Sequence, residues 1–126
     1  MSKQNLYLGK QGEEVAVSLL KEKGYKILLR NYKTKLGEVD IIAVDKDTFC
    51  FIEVKTRNSR RFGSPEEAVS VPKQRQISKA ALMFLKENNL LGRKARFDVV
   101  SLDYSQGAAK SNLIKNAFEL NGHFTY

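Results

Sequence analysis

Two short stretches carry ionisable side chains where a strand is otherwise apolar: Gly37-Glu38-Val39-Asp40-Ile41-Ile42-Ala43 and Phe51-Ile52-Glu53-Val54-Lys55. Both are rich in Val, Ile and Phe and read as β-strands. Asp45-Lys46-Asp47-Thr48 between them reads as a tight turn. A hairpin with a two- or four-residue loop sets Asp40 opposite Glu53 and Glu38 opposite Lys55. Side chains alternate along a strand, so Asp40, Glu53 and Lys55 then share one face. Two carboxylates about 5 Å apart at an effective dielectric near 20 repel by roughly 3 kcal/mol. That repulsion calls for a neutralising cation.

The chemistry that follows is phosphate-ester hydrolysis assisted by a divalent ion. Asp40 and one oxygen of Glu53 suit Mg²⁺ or Mn²⁺, which take hard oxygen ligands. The backbone carbonyl of Val54 is a further candidate ligand. Lys55 stands where it could orient or help deprotonate an attacking water. Glu13, three residues before Ala16 and seven before Leu20, borders the inward face of a first helix and could complete the acidic set. Three carboxylates and one lysine leave a deficit that one Mg²⁺ would balance.

The elements that must position these groups follow from pattern and punctuation. Leu6 to Lys23 reads as a helix closed by Gly24, with Val15, Ala16, Leu19 and Leu20 as its apolar stripe. Tyr25 to Tyr32 reads as a first strand, followed by the hairpin 36–45 and 48–56. Ser64-Pro65-Glu66-Glu67 has the signature of a brief helical turn. Pro72 opens a second helix to about Asn89, with Ile77, Ala80, Ala81, Phe84 and Leu85 inward and Gly92 as its end. Arg96 to Leu102 and Leu113 to Leu120 read as strands, with a loop from Asp103 to Asn112. The order α-β-β-β-α-β-β implies an α/β fold with a mixed central sheet flanked by helices.

Composition bounds the partners. The chain has 126 residues and a formal charge of +8, a length that fits one domain, 1–126, and a balance that favours a polyanion such as nucleic acid. Basic residues recur in groups: Arg57, Arg60 and Arg61; Lys73, Arg75 and Lys79; Arg93, Lys94 and Arg96. The loop carrying Arg57, Arg60 and Arg61 leaves directly from the Glu53–Lys55 strand, so these arginines are candidate phosphate contacts. Lys73 and Gln76, opening the second helix, are candidates for the rim. One cysteine, Cys50, excludes an intrachain disulfide and reads as a buried packing residue on the face opposite Glu53. No apolar run reaches membrane-spanning length and no signal-like segment opens the chain, so a cytoplasmic location and no membrane partner are expected.

Glu13, Asp40 and Glu53-Val54-Lys55 resemble the PD-(D/E)XK signature of the restriction-endonuclease-like superfamily. More closely, Gly12-Glu13, Gly37–Ala43, Phe51–Arg57, Phe62-Gly63-Ser64-Pro65 and Arg96-Phe97-Asp98-Val99 resemble the bacterial YraN-like family. That family is similar to archaeal Holliday-junction resolvases, which cut branched DNA with Mg²⁺. The resemblance implies a restriction-endonuclease-like αβββαβ core. It also implies catalytic positions at Glu13, Asp40, Glu53 and Lys55, with Asp40, Glu53, Val54 and Glu13 toward the metal. Val39 stands where the superfamily motif has its proline, which leaves the ligand position intact. Junction resolvases act as dimers because a junction has two strands to cut; whether this chain forms a homodimer is left open.

Three readings compete. One is a Mg²⁺-dependent endonuclease acting on DNA, branched DNA included. The second is a nucleic-acid-binding protein that keeps the fold without turnover. The third is a protein-interaction subunit, against which the repulsive carboxylate pair argues. At residue level, Glu38 pairing with Lys55 would make a plain ion-pair cluster. Glu13 could serve the helix macrodipole alone. Tyr32, Phe62 and Tyr104 suit packing better than base stacking, and His123 suits a surface role.

Overall fold

The computed structural model describes residues 3–57, 69–104 and 110–119, with side chains in the first helix described from residue 11. The order is α1 (Lys3–Glu22), β1 (Lys26–Lys33), β2 (Glu38–Asp45), β3 (Thr48–Arg57), α2 (Val71–Glu87), β4 (Ala95–Asp103) and β5 (Lys110–Phe118). The five strands form one sheet in chain order. Neighbours are antiparallel except β3 and β4, which run parallel. A parallel pair cannot be joined by a tight turn, and α2 lies within the crossover that joins them. The expected mixed α/β sheet is therefore observed. The helix start at Ser64-Pro65, together with Arg60, Arg61, Phe62 and His123, lies outside the described residues.

Alternation along β3 distributes the two cores. Cys50 and Ile52 pack with Ala16, Val17 and Leu20 of α1, together with Ile41 and Ala43 of β2 and Val100 and Leu102 of β4. Phe51 packs on the other face with Ile42, Phe97 and Val99, against Ile77, Ala80, Ala81, Phe84 and Leu85 of α2. Cys50 is fully buried on the α1 side, as expected, and burial pushes its thiol up to about 12. No helix among the described residues is long and apolar enough to cross a membrane.

Helix ends follow local chemistry. Gly24, at φ 93°, closes α1. Ser70 caps α2, its hydroxyl accepting the Lys73 N–H, with Pro72 in the first turn. The end of α2 differs from expectation: Asn88 caps it, and Asn89 takes the left-handed conformation (φ 59°) that Gly92 was expected to supply. Asparagine tolerates that region because its short amide bonds locally; Gly92 instead bends the connection to β4. β1 is an edge strand with a register irregularity between Ile27 and Leu29. Leu28 and Leu29, within the strand expected from Tyr25 to Tyr32, are exposed there.

A buried polar network ties the elements together. Asp98 on β4 is fully buried and accepts hydrogen bonds from Tyr25 Oη (2.8 Å), Arg96 Nε (3.0 Å) and the Asn116 backbone N–H (2.9 Å). Arg96 also donates to Asp45 at the end of β2 (2.6 Å) and to Tyr25 Oη (2.8 Å). The Arg96 hydrogen bond holds Asp45 below the usual carboxylate range, whereas burial and Asp98 push the Tyr25 hydroxyl upward. One carboxylate thus joins the α1–β1 connection, β4 and β5. Asp98→Ala, which takes the shared buried acceptor from Tyr25, Arg96 and the Asn116 N–H at once, is expected to cost about 3–5 kcal/mol. Tyr25→Phe should cost only about 1–2 kcal/mol. Urea unfolding of both variants checks the ranking, and equal losses would show that the carboxylate is not the hub.

Candidate functional site

The register of β2 on β3 fixes the site. Pairs run from Asp45↔Thr48 to Ile41↔Ile52, and the next step would bring Asp40 level with Glu53. There the ladder ends. The Asp40 carboxylate itself accepts the Val54 N–H, at 2.8 Å, in place of a backbone carbonyl. A strand residue presents its N–H and C=O to the same neighbour, so the Val54 carbonyl faces this end of β2 as well.

Glu53 is only 5% exposed, and its Oε2 has no hydrogen-bond partner. Burial first, and the Asp40 carboxylate second, push its carboxyl up to about 8, while Lys73 and Lys55 pull the other way. Lys73 Nζ lies 4.0 Å from Glu53 Oε2 and 4.0 Å from Glu38 Oε1. Glu38 therefore reaches Lys73 at this distance, where the sequence had offered Lys55 as its partner. Lys73, expected at a phosphate-binding rim, instead stands between two carboxylates. Its position follows from the Ser70 cap, which places Lys73 in the first turn of α2 over the ends of β2 and β3.

A close approach holds that helix turn in place. A Cβ on Gly37 would stand 2.2 Å from the carbonyl oxygen of Gln76, so only glycine lets the β1–β2 turn lie against α2. The turn is internally tied: Thr34 Oγ1 accepts the N–H groups of Leu36 (3.0 Å) and Gly37 (3.1 Å), and the Thr34 N–H donates to the Gly37 carbonyl (2.8 Å).

The structure brings Asp40, Glu53, Val54 and Lys55 together and adds Glu38 and Lys73. The Glu13 carboxylate lies 3.8 Å from Arg30 Nη2 and 3.4 Å from Asn31 Nδ2, both on β1. Among the described residues, no group of three or more His, Cys, Asp or Glu side chains is gathered to hold a metal ion. Arg57 ends β3, paired in register with Asp103, and its carbonyl accepts the Tyr104 N–H. Gln76 is exposed, with its backbone against Gly37. Asp40, the Glu53 oxygen without a hydrogen bond and the Val54 carbonyl have the hard-oxygen chemistry that a small divalent cation takes. A buried carboxylate oxygen without a partner is the kind of group such an ion would satisfy.

A mixed sheet with a helix on each face, carrying an acidic pair where β2 parts from β3, is consistent with the restriction-endonuclease-like class. The chain belongs to the family described as "Uncharacterised protein family UPF0102", which matches residues 12–102. A "UPF0102 protein" of Desulfosudis oleivorans is 48% identical over 122 residues, covering 96% of this chain and 97% of that protein. One from Geobacter metallireducens is 49% identical over 120 residues, covering 95% and 98%. Another, from Geotalea uraniireducens, is 50% identical over 117 residues, covering 92% of each.

The raised carboxyl of Glu53 gives a pH dependence. Burial favours the neutral form, so its stabilising contribution is complete below the ordinary value of 4.5 and is lost as pH rises through about 8. Glu53→Gln removes that dependence. Relative to the wild type, the variant should gain stability between pH 5 and pH 9, by an amount on the order of 1–4 kcal/mol. Urea unfolding at the two pH values measures it; a pH-independent difference would mean that Glu53 titrates normally.

Proposed function

We propose that this protein is a metal-dependent endonuclease that hydrolyses phosphodiester bonds in DNA, with branched DNA among its candidate substrates. One observation carries the reading: Asp40 and a buried Glu53 with an unpartnered oxygen converge beside Lys55 at the end of a hairpin. Nothing in packing requires two carboxylates there, and their repulsion opposes folding. Asp40, Glu53 and the Val54 carbonyl would hold Mg²⁺ or Mn²⁺. When bound, that ion would offset charge on the phosphate oxygens and acidify a coordinated water.

The chain's own residues do the positioning. The Val54 N–H fixes the Asp40 carboxylate at the end of the hairpin. Lys55 acts on Glu53 electrostatically and is suited to orienting a water or a phosphate oxygen. Lys73 neutralises part of the acidic cluster from the other side. The formal charge of +8 favours a polyanionic substrate and, with it, a cytoplasmic location beside nucleic acid. Arg30 and Asn31 both approach Glu13 Oε2, so that oxygen would contribute only after release from them.

A second reading is favoured by that same engagement of Glu13 and by Lys73 between the carboxylates. It is a nucleic-acid-binding protein without turnover, whose site charge is balanced internally. The two readings separate in one set of measurements. Calorimetric titration of Mn²⁺ should show binding by the wild type and at least tenfold weaker binding by Asp40→Asn. Branched, nicked and single-stranded DNA should be cut in Mg²⁺ or Mn²⁺, and Asp40→Ala and Glu53→Ala should abolish the cutting. Undiminished cleavage by those variants would remove this site from the chemistry. Salt-sensitive binding without metal uptake or cleavage would select the second reading.

A further inference from the structure

Beside the acidic site, the β1–β2 turn and the opening of α2 enclose an open groove of about 320 Å³, lined by Lys33, Thr34, Lys35, Leu36, Glu38, Lys73 and Gln76 around Gly37. We infer that this turn is a DNA-docking element: Lys33 and Lys35 grip the phosphate backbone while Leu36 rests against sugars or base edges, guiding the strand toward Asp40 and Glu53. The inference rests on the proposed action on DNA and names the surface that delivers it.

Four features support it. Lys33 and Lys35 are exposed, and among the described residues neither forms an ion pair, unlike Lys73, Lys94, Arg96 and Lys115. Leu36, directly after Lys35 in the turn, is 50% exposed, a large apolar side chain at a position where a turn ordinarily carries a polar one. Exposed apolar side chains set beside cations recur in proteins that wedge them between base steps of DNA. The turn is also preformed. Thr34 closes it with hydrogen bonds, and Gly37 seats it on the Gln76 carbonyl, so the turn backbone carrying the two lysines is already ordered before DNA binds. Finally, the groove is continuous with the site. Glu38 lines it and stands two residues from Asp40, and Lys73 lines it while lying 4.0 Å from Glu53. A strand held here by its phosphates would have its neighbouring linkage at the acidic pair.

The test is DNA binding by the full chain, followed by fluorescence anisotropy with labelled duplex and four-way-junction oligonucleotides at several salt concentrations. Lys33→Gln/Lys35→Gln should bind roughly tenfold more weakly at 0.1 M salt, with a log K against log salt slope shallower by about 1–2. Leu36→Ser should weaken binding by about fivefold with the slope unchanged, as expected for loss of an apolar contact. Lys26→Gln/Lys46→Gln removes the same charge at the opposite end of β2, where Lys26 pairs with Val44 and Lys46 lies in the β2–β3 turn; it should have a much smaller effect. Equal losses from the two double variants, or no loss from the turn variant, would overturn the docking role while leaving DNA as the partner. A wild type that binds neither oligonucleotide would overturn the docking role and the proposed function together.

Discussion

The site depends on a rung that the sheet does not make. β2 and β3 pair regularly until Ile41 meets Ile52, and then Asp40 lends its side chain to the Val54 N–H in place of the next backbone carbonyl. Because the amide is still satisfied, β2 can leave β3 without orphaning a buried donor. Because the acceptor is a carboxylate, the point of departure carries charge. The same substitution that ends the ladder therefore creates the acidic end of the hairpin, and Glu53 is buried next to it by strand alternation alone.

Two supports keep this arrangement from flying apart. Lys73 enters from α2 and faces both Glu38 and Glu53. Its placement relies on the Ser70 cap and on Gly37, whose missing side chain allows the β1–β2 turn to touch the helix backbone. At the opposite ends of the strands, Asp98 and Arg96 lock β4 to the α1–β1 connection, to β2 and to β5. Charge repulsion is thus confined to one end of the sheet, and well-paired buried charge holds the other.

How much of this could be read from the amino acids depended on range. The register that points residue 40 toward residue 53 was legible because the intervening turn is short and a period of two leaves little freedom. Cys50 facing away from Glu53 followed from the same parity, and the start of α2 followed from Ser70 and Pro72. What escaped were contacts set by tertiary packing. Lys73 was read as a candidate for the phosphate-binding rim, and only the docking of α2 over β2 and β3 sets it between Glu38 and Glu53. Arg96 and Asp98 sat in a run that read as plain strand, yet they bind groups more than 50 residues away. Glu13 was rightly placed near the inward border of α1, but Arg30 and Asn31, which claim its carboxylate, lie on a strand whose irregular twist no periodicity predicts. Asn89 replaced Gly92 at the helix end because either residue can adopt the required backbone, and sequence alone does not rank them.

Cys50 has a use that its chemistry does not advertise. It is the single cysteine of the chain, lies fully inside on the middle strand, and has a thiol made unreactive by burial. A thiol-modifying reagent can reach it only when α1 lifts from β3 or the whole sheet comes apart. The rate of alkylation then acts as an internal clock for that opening, independent of any ligand or assay of activity.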